Sequence, residues 1–420
     1  MTVALCKNPE GFRINCNAFQ QDAITTFAGA EYAAAYQPSD PENALSPRLI
    51  TLARRIINDA NAGKWECFAF DDYLQTTNDG HNVISIGISG DGVIHLSWDL
   101  HGDKINYRAS DPGLANDPSR PWAADAFKPI QNDLSGIQLS MVTYPRFLRM
   151  LNNDLLFEFR IGKSGLGDDY LYHYSSKTST WSPVGKHSGM YLKGVENNAY
   201  INGIDQDSSG RLHVSWTYRD YVEDRPEFLS EKVRQTATRN AGPNGPENNH
   251  DLYYIYSDDE GATWRNTHGE LLSLPVTPDA PGIKIYDIPK FSGIMNQEGQ
   301  TVDSKGGFHA LNRQDGFYYH YYRSPDGSWT RSKILDLPAI SFGDRGKLVG
   351  GSDGDVYALL PGNVGSDTFT ITRWARGGWS KVWQEDGYTG EPCVDRYLKD
   401  GVLRILQIRQ GKVVALAIPF

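Results

Sequence analysis

Along most of the chain the apolar residues fall in runs of four to eight, rich in Val, Ile, Tyr, Phe and Trp, and broken by Asp-Gly, Gly-Gly or Asn-Asp pairs. Runs of this length between turn-forming pairs predict short strands joined by tight turns. One stretch departs from this. Over residues 49–60, Leu49, Leu52, Ile56 and Ile57 share one helical face, with Ser46 and Pro47 placed as cap and first-turn residues. The pattern therefore predicts a short N-terminal helix near 47–61, followed almost entirely by strands.

The strands repeat. One unit is a glycine, apolar residues and a histidine: Gly92-Val93-Ile94-His95, Gly210-Arg211-Leu212-His213 and the shorter Gly307-Phe308-His309. Because these histidines recur at one place in the repeat, they are expected to be structural. A second unit is a strand, a polar turn and a tryptophan, as in Tyr172-His173-Tyr174 to Trp181, Tyr254-Ile255-Tyr256 to Trp264, Tyr319-His320-Tyr321 to Trp329 and Ile371-Thr372-Arg373 to Trp379. Its fullest copy, Ser257-Asp258-Asp259-Glu260-Gly261-Ala262-Thr263-Trp264, matches the Asp-box turn of β-propeller blades. There Ser257 and Asp259 can satisfy turn N–H groups and Gly261 can take positive φ. Its carboxylates are structural rather than catalytic candidates.

A blade takes about 40–50 residues plus loops, and a ring of blades leaves few sheet edges exposed. At about 60 residues per unit, the 420 residues make a seven-bladed all-β propeller, with six blades as the runner-up. The expectation is one propeller domain over 1–420, with a long polar loop near 223–249.

Composition narrows the function. Charged residues are 22% and hydrophobic residues 39%, enough for a packed core. A net charge of −10 argues against nucleic acid and anionic membranes as partners. No apolar run approaches the length of a membrane-spanning helix. The first residues lack the pattern of a secretion signal, so the chain is either intracellular or begins at a mature end. Cys6, Cys16, Cys67 and Cys393 have no metal-ligand spacing, and their pairing is left open.

Five polar stretches at strand ends could carry chemistry: Asn78 to Asn82, Trp98 to Gly102, Thr143 to Phe147 with its continuation through Phe159 to Gly165, Asn197 to Gly203, and Trp216 to Asp220. His81 and His101 lie outside the histidine repeat. A lone turn histidine is more often a surface or capping residue. Arg160 could simply pair with Glu158 or Asp168, and Tyr144 and Tyr200 could be core aromatics.

In order along the chain stand Asp-Gly-His-Asn, a second histidine twenty residues after the first, Thr-Tyr-Pro-Arg-Phe, Phe-Arg-x-Gly-x-Ser-Gly, Gly-Arg-Leu-His-Val-Ser-Trp-Thr-Tyr-Arg and an Asp box. This series resembles the BNR-repeat propeller family, which includes seven-bladed polysaccharide lyases: the ulvan lyases and the L-rhamnose-α-1,4-D-glucuronate lyase acting on gum arabic. The resemblance covers roughly His81 to Arg323 and weakens beyond. It implies that His81 and His101 are the family's paired catalytic histidines, Tyr144 the tyrosine facing them and Arg160 the arginine that holds the uronate carboxylate. Tyr200 and, as a weaker transfer, Arg219 are implied as substrate contacts, and Asn82 and Arg146 join them as candidate binding residues. Some relatives hold a structural zinc or calcium ion. No complete ligand set is identifiable here, although His250 and His268 could contribute; no cofactor is expected for catalysis.

The implied reaction is β-elimination at O4 of glucuronate. Arg160 would stabilise charge developing on the carboxylate. A neutral imidazole would remove the C5 proton, and Tyr144 or the other histidine would protonate O4. The expected substrate is an acidic polysaccharide of gum arabic or ulvan type, acted on outside the cell by a monomer. Two other classes remain: a sialidase-like glycoside hydrolase, for which no Tyr–Glu nucleophile pair is evident, and a non-catalytic carbohydrate-binding propeller.

Overall fold

The computed structural model describes residues 2–17, 19, 23–57, 64–222, 244–339, 343–362, 366–397 and 400–420. Among these the chain is all-β, and its only helical segments are single 3-10 turns such as Ala124–Ala126 and Pro246–Asn248. None is long and apolar enough to cross a membrane. The chain divides into two compact units, one of residues 1–159, 172–182 and 344–420, the other of 160–171 and 183–343.

The first unit holds antiparallel meanders of three or four strands. Ile24–Phe27, Ala30–Asp40, Asn43–Ile56 and Glu66–Gln75 pair in sequence order, as do Lys347–Gly350, Val356–Leu360, Phe369–Ala375 and Gly378–Glu385. Ile84–Ile88, Ile94–Trp98 and Tyr107–Ala109 form a third. In the last sheet the first strand, Thr2–Lys7, pairs with the final one, Lys412–Pro419, beside Val402–Arg409 and Tyr388–Val394. Joining the two ends of the chain in one sheet satisfies edge groups that would otherwise be exposed. The core between the first meanders is built from Ile50, Leu52, Phe70, Ile84, Ile86, Leu96 and Trp98.

The second unit contains the meander Asn197–Gln206, Leu212–Asp220, Asn249–Ser257 and Lys284–Tyr286, and another of Gly299–Val302, Phe308–Gln314, Phe317–Arg323 and Trp329–Pro338. Leu252, Tyr254, Ile288, Phe308 and Tyr321 fill its core. The Asp box is formed as expected. The Asp259 carboxylate accepts from the Ser257 hydroxyl at 2.8 Å and from the Thr263 N–H at 2.8 Å. Gly261 stands at φ +91°, and the fully buried Trp264 stacks on Tyr191.

The helix expected near 47–61 is absent. Asn43–Ile56 is a strand, and residues 58–63 lie outside those described. Ala30 pairs with Ile56 and the register continues to Pro38 opposite Arg48, while Glu66–Gln75 pairs on the other side. An inner strand buried on both faces lacks the alternation of a half-buried one, and here Leu49, Leu52 and Ile56 also fall at a helical spacing. Pairing on both edges settles the ambiguity. The loop expected near 223–249 falls mostly on residues outside those described; Pro246–Asn248 is a 3-10 turn and Asn249 already begins a strand.

The repeating histidines are buried cross-links. His95 meets the Tyr107 hydroxyl at 2.7 Å and Ser89 at 2.9 Å. His213 meets Tyr254 at 2.7 Å and Asp207 at 3.2 Å. His309 meets His320 at 2.8 Å and Asp303 at 3.1 Å. Each ties a turn to the neighbouring strand, which is why the position recurs. None of the four cysteines forms a disulfide.

Candidate active site

In the first unit His81 follows a tight turn. The Asp79 carboxylate accepts from the His81 backbone N–H at 2.9 Å, the short-range bond that an aspartate two residues ahead makes. His101 opens the strand His101–Asp103, which pairs antiparallel with Val142–Arg149 so that His101 lies opposite Thr143. This register places Tyr144 next to the histidines. The rings of His81 and Tyr144 have centroids 5.6 Å apart.

The two imidazoles are stacked, with centroids 3.9 Å apart and planes 19° from parallel. On its other face His81 is covered by Phe19, at 4.5 Å and 12°. The Arg345 guanidinium lies 4.4 Å over the Phe19 ring. One carboxylate serves both histidines. Asp79 Oδ1 lies 2.7 Å from His81 Nδ1, and Oδ2 lies 2.5 Å from His101 Nδ1. Burial alone would raise the Asp79 pKa, but the bonds from His101 and His81 hold it far below the usual carboxylate range. The side chains of His81, His101 and Asp79 are 28%, 36% and 33% exposed, so solvent and ligands reach them.

Tyr144 stands at φ +63° immediately before Pro145. A non-glycine residue in the left-handed region, at a position where a following proline disfavours compact backbone, is strained, and such strain gathers at functional sites. A cleft of about 630 Å³ opens beside His101. Its wall includes Asp79, Asp99 and Asp103, a single lysine, Lys104, and the neutral Tyr73, Thr77 and Asn82. Asn82 donates to Thr77 Oγ1 at 2.6 Å. Arg146 is fully buried and its Nη1 donates to Glu158 at 2.7 Å.

In the second unit Arg160, Tyr200 and Arg219 converge. Arg160 Nη1 lies 3.3 Å and Arg219 Nη1 3.5 Å from the Tyr200 hydroxyl oxygen, which also accepts the Gly165 N–H at 3.2 Å. Burial opposes ionisation of Tyr200, yet the Arg219 and Arg160 charges bring its pKa below that of an ordinary phenol. Arg219 is held in turn by Asn249 and Asn296, both at 2.8 Å, and by the Asn244 carbonyl at 3.0 Å. All three side chains are buried.

The structure thus gathers His81, His101, Tyr144 and Asn82 within one unit, and Arg160, Tyr200 and Arg219 within the other. Asp79 lay in the first polar stretch of the sequence but had no role assigned, and Phe19 was not singled out. Asp79 had a local signal in the Asn-Asp-Gly-His turn; Phe19 had none, because its contact spans more than sixty residues. Neither His250 nor His268 belongs to a cluster of metal-ligating groups among the described residues. His250 is instead an ion-pair partner, 3.0 Å from Asp251 and 3.2 Å from Asp220. Although burial works against it, these carboxylates raise its pKa to about 9. That pair does not fit a structural zinc or calcium ion. The one cluster of three ligating groups among the described residues is Asp79, His81 and His101.

Meanders of antiparallel strands, an Asp box and a chain whose ends meet in one sheet define a propeller protein of the Asp-box kind. The chain belongs to the BNR repeat-containing family, whose profile matches residues 31–337. It is 24% identical over 335 residues to the long isoform of ulvan lyase from Alteromonas sp. (strain LOR), covering 66% of this chain but 31% of that protein. The chain thus spans about a third of that relative's length. The fold is shared with polysaccharide lyase Uly1, at a TM-score of 0.72 and 17% identity over 95% of this chain and 90% of that one. It is likewise shared with an ulvan lyase bound to -[GlcA(1-4)Rha3S]-, at a TM-score of 0.68 and 15% identity over 100% and 96%.

Proposed function

We propose that this protein is a polysaccharide lyase that breaks the L-rhamnose-α-1,4-D-glucuronate bond by β-elimination. The observation that carries the reading is the stacked, solvent-reachable pair His81 and His101 beside the strained Tyr144. Ulvan lyases among its relatives and structural neighbours support the same chemistry.

The C5 hydrogen of a glucuronate is weakly acidic until the adjacent carboxylate is neutralised. The resemblance to the family assigns that charge to Arg160, whose guanidinium Tyr200 holds. A neutral imidazole of the pair removes the C5 proton, and the C5–H electrons become the C4=C5 double bond. The C4–O4 bond breaks, and O4 takes a proton from Tyr144 or from the other histidine. Rhamnose, or a rhamnose-ended fragment, leaves, and a 4,5-unsaturated glucuronyl end remains. Tyr200, Arg219 and Asn82 are assigned to substrate binding and its support, while Arg146, expected beside them, is fully buried against Glu158. No cofactor takes part. The substrate is a polymer, so the enzyme acts outside the cell.

His101 shares the wall of its cleft with Asp79, Asp99, Asp103 and Lys104. Gum arabic and ulvan type chains both carry the uronate that this reaction needs. The test is to digest both polysaccharides side by side and follow the ultraviolet absorbance of the unsaturated acid together with free rhamnose. Absorbance separates elimination from hydrolysis, which adds water and forms no double bond. Its absence on both substrates would remove the lyase reading and leave a hydrolase or a sugar-binding propeller.

A further inference from the structure

Asp79 touches both candidate catalytic rings with the two oxygens of one carboxylate. Oδ1 is tied to His81 twice, through the backbone N–H at 2.9 Å and through Nδ1 at 2.7 Å, while Oδ2 meets His101 Nδ1 at 2.5 Å. The turn thus orients the carboxylate before it orients the rings. An ionised carboxylate only accepts hydrogen bonds, so both Nδ1 atoms must carry hydrogen. In a neutral imidazole that leaves Nε2 as the lone-pair atom.

Two other roles fit less well. A capping aspartate needs only the bond to the His81 backbone and would leave Oδ2 to solvent. In a tetrahedral zinc site, ligands about 2.0–2.1 Å from the metal stand about 3.3 Å from each other. The Asp79–His81 separation of 2.7 Å is a hydrogen-bond length, and Asp79 approaches His101 more closely still.

We propose that Asp79 is a positioning residue for both histidines, fixing each ring as the Nδ1–H tautomer with Nε2 presented to substrate. The proposal rests on the lyase reading for its catalytic consequence, not for its geometry. Stacking confines the two rings to nearly parallel planes, and the shared carboxylate fixes their rotation within those planes. A base and an acid drawn from this pair then differ only in whether Nε2 carries a proton. Around the pair stand Asp99, Asp103 and Lys104 on the cleft wall, Tyr144 and Phe19 against His81, and Arg345 behind Phe19.

The test is Asp79→Asn in the full chain. An amide has one accepting oxygen and a donating nitrogen, so one ring keeps its Nδ1–H and the other must turn Nδ1 into an acceptor, moving its hydrogen to Nε2. In the unaltered protein, nitrogen-15 shifts of His81 and His101 should show both rings protonated at Nδ1, and one should switch in Asp79→Asn. On gum arabic or ulvan, kcat should fall on the order of 10²–10⁴-fold. KM should stay within a few-fold, and the acidic limb of the pH profile should move to lower pH. The proposal is overturned if either ring of the unaltered protein carries its neutral hydrogen on Nε2, a measurement that needs no stable variant. It is also overturned by an unchanged kcat and pH profile in Asp79→Asn, or by a stoichiometric divalent metal that elemental analysis finds in the purified protein and that the variant loses. Should the unaltered protein release no unsaturated product from either polysaccharide, the lyase reading fails while the tautomer measurement still decides the role of Asp79.

Discussion

His81 and His101, twenty residues apart in sequence, lie face to face with ring centroids 3.9 Å apart. The turn at Asp79 and the strand pairing of His101 with Thr143 bring them together. Two titratable rings in such contact, both open to solvent, are costly to maintain for packing alone. His81→Ala and His101→Ala should each lower the rate of unsaturated-product formation on the order of 10²–10⁴-fold. A ligand-free thermal midpoint close to that of the unaltered protein would confirm that the loss is chemical. Full activity in either variant would remove that ring from the reaction.

Replacing Arg160 by methionine keeps much of its length and removes its charge. The expected loss in kcat is roughly 10²–10³-fold, the scale of one preorganised charge at a developing anion. Because Tyr200 owes its lowered pKa in part to Arg160, its ultraviolet titration should move to higher pH in the same variant. An unmoved Tyr200 titration would contradict the geometry independently of any assay.

Acid should destabilise the fold before its carboxylates are protonated. Burial lowers the pKa of His95 to about 3 and also lowers those of His309 and His320. In the unfolded chain these groups titrate near 6.5, so below that pH the unfolded state binds protons that the folded state excludes. The stability they contribute is complete above about 6.5 and is lost as pH falls, at up to about 1.4 kcal/mol per pH unit per histidine. Urea midpoints measured from pH 7 to pH 4 should therefore fall, and a His95→Gln variant should show a shallower slope.

The Asp box should matter for stability and not for turnover. Asp259→Ala removes the acceptor of the exposed Thr263 N–H and should cost about 0.5–1.5 kcal/mol. Trp264→Ala empties a fully buried site and should cost about 3–5 kcal/mol. Denaturant midpoints measure both, and kcat below the unfolding transition should be unchanged.

Glu158→Gln would leave the guanidinium of Arg146 buried beside a neutral partner. Removing one member of such a pair costs about 3–5 kcal/mol. The expected result is a large fall in thermal midpoint, read by circular dichroism. A small one would mean that Arg146 finds another partner on relaxation.

Much of this was legible from residues alone. The strand-and-turn pattern, the Asp box and the recurring histidines depend on contacts a few residues to one hairpin apart, and such contacts leave periodic traces. His81 and His101 could be picked out because they broke the histidine repeat. Residues 49–57 misled because a strand buried on both faces carries no alternation, and its neighbours on both sides decide its state. Arg146 and Arg160 look alike in sequence, each within an apolar strand. Only the fold sets Arg146 against Glu158 and Arg160 against Tyr200.

What the chain determined by itself was its class: short strands, tight turns and repeated buried histidines, all consequences of local chemistry. What the tertiary structure decided was which polar groups meet. One carboxylate reaches two imidazoles, a phenylalanine near the N-terminus covers one of them, and a phenol lies between two guanidiniums. Those contacts join distant segments, and hydrogen bonds and ring stacking act over a few ångströms of space whatever the separation along the chain.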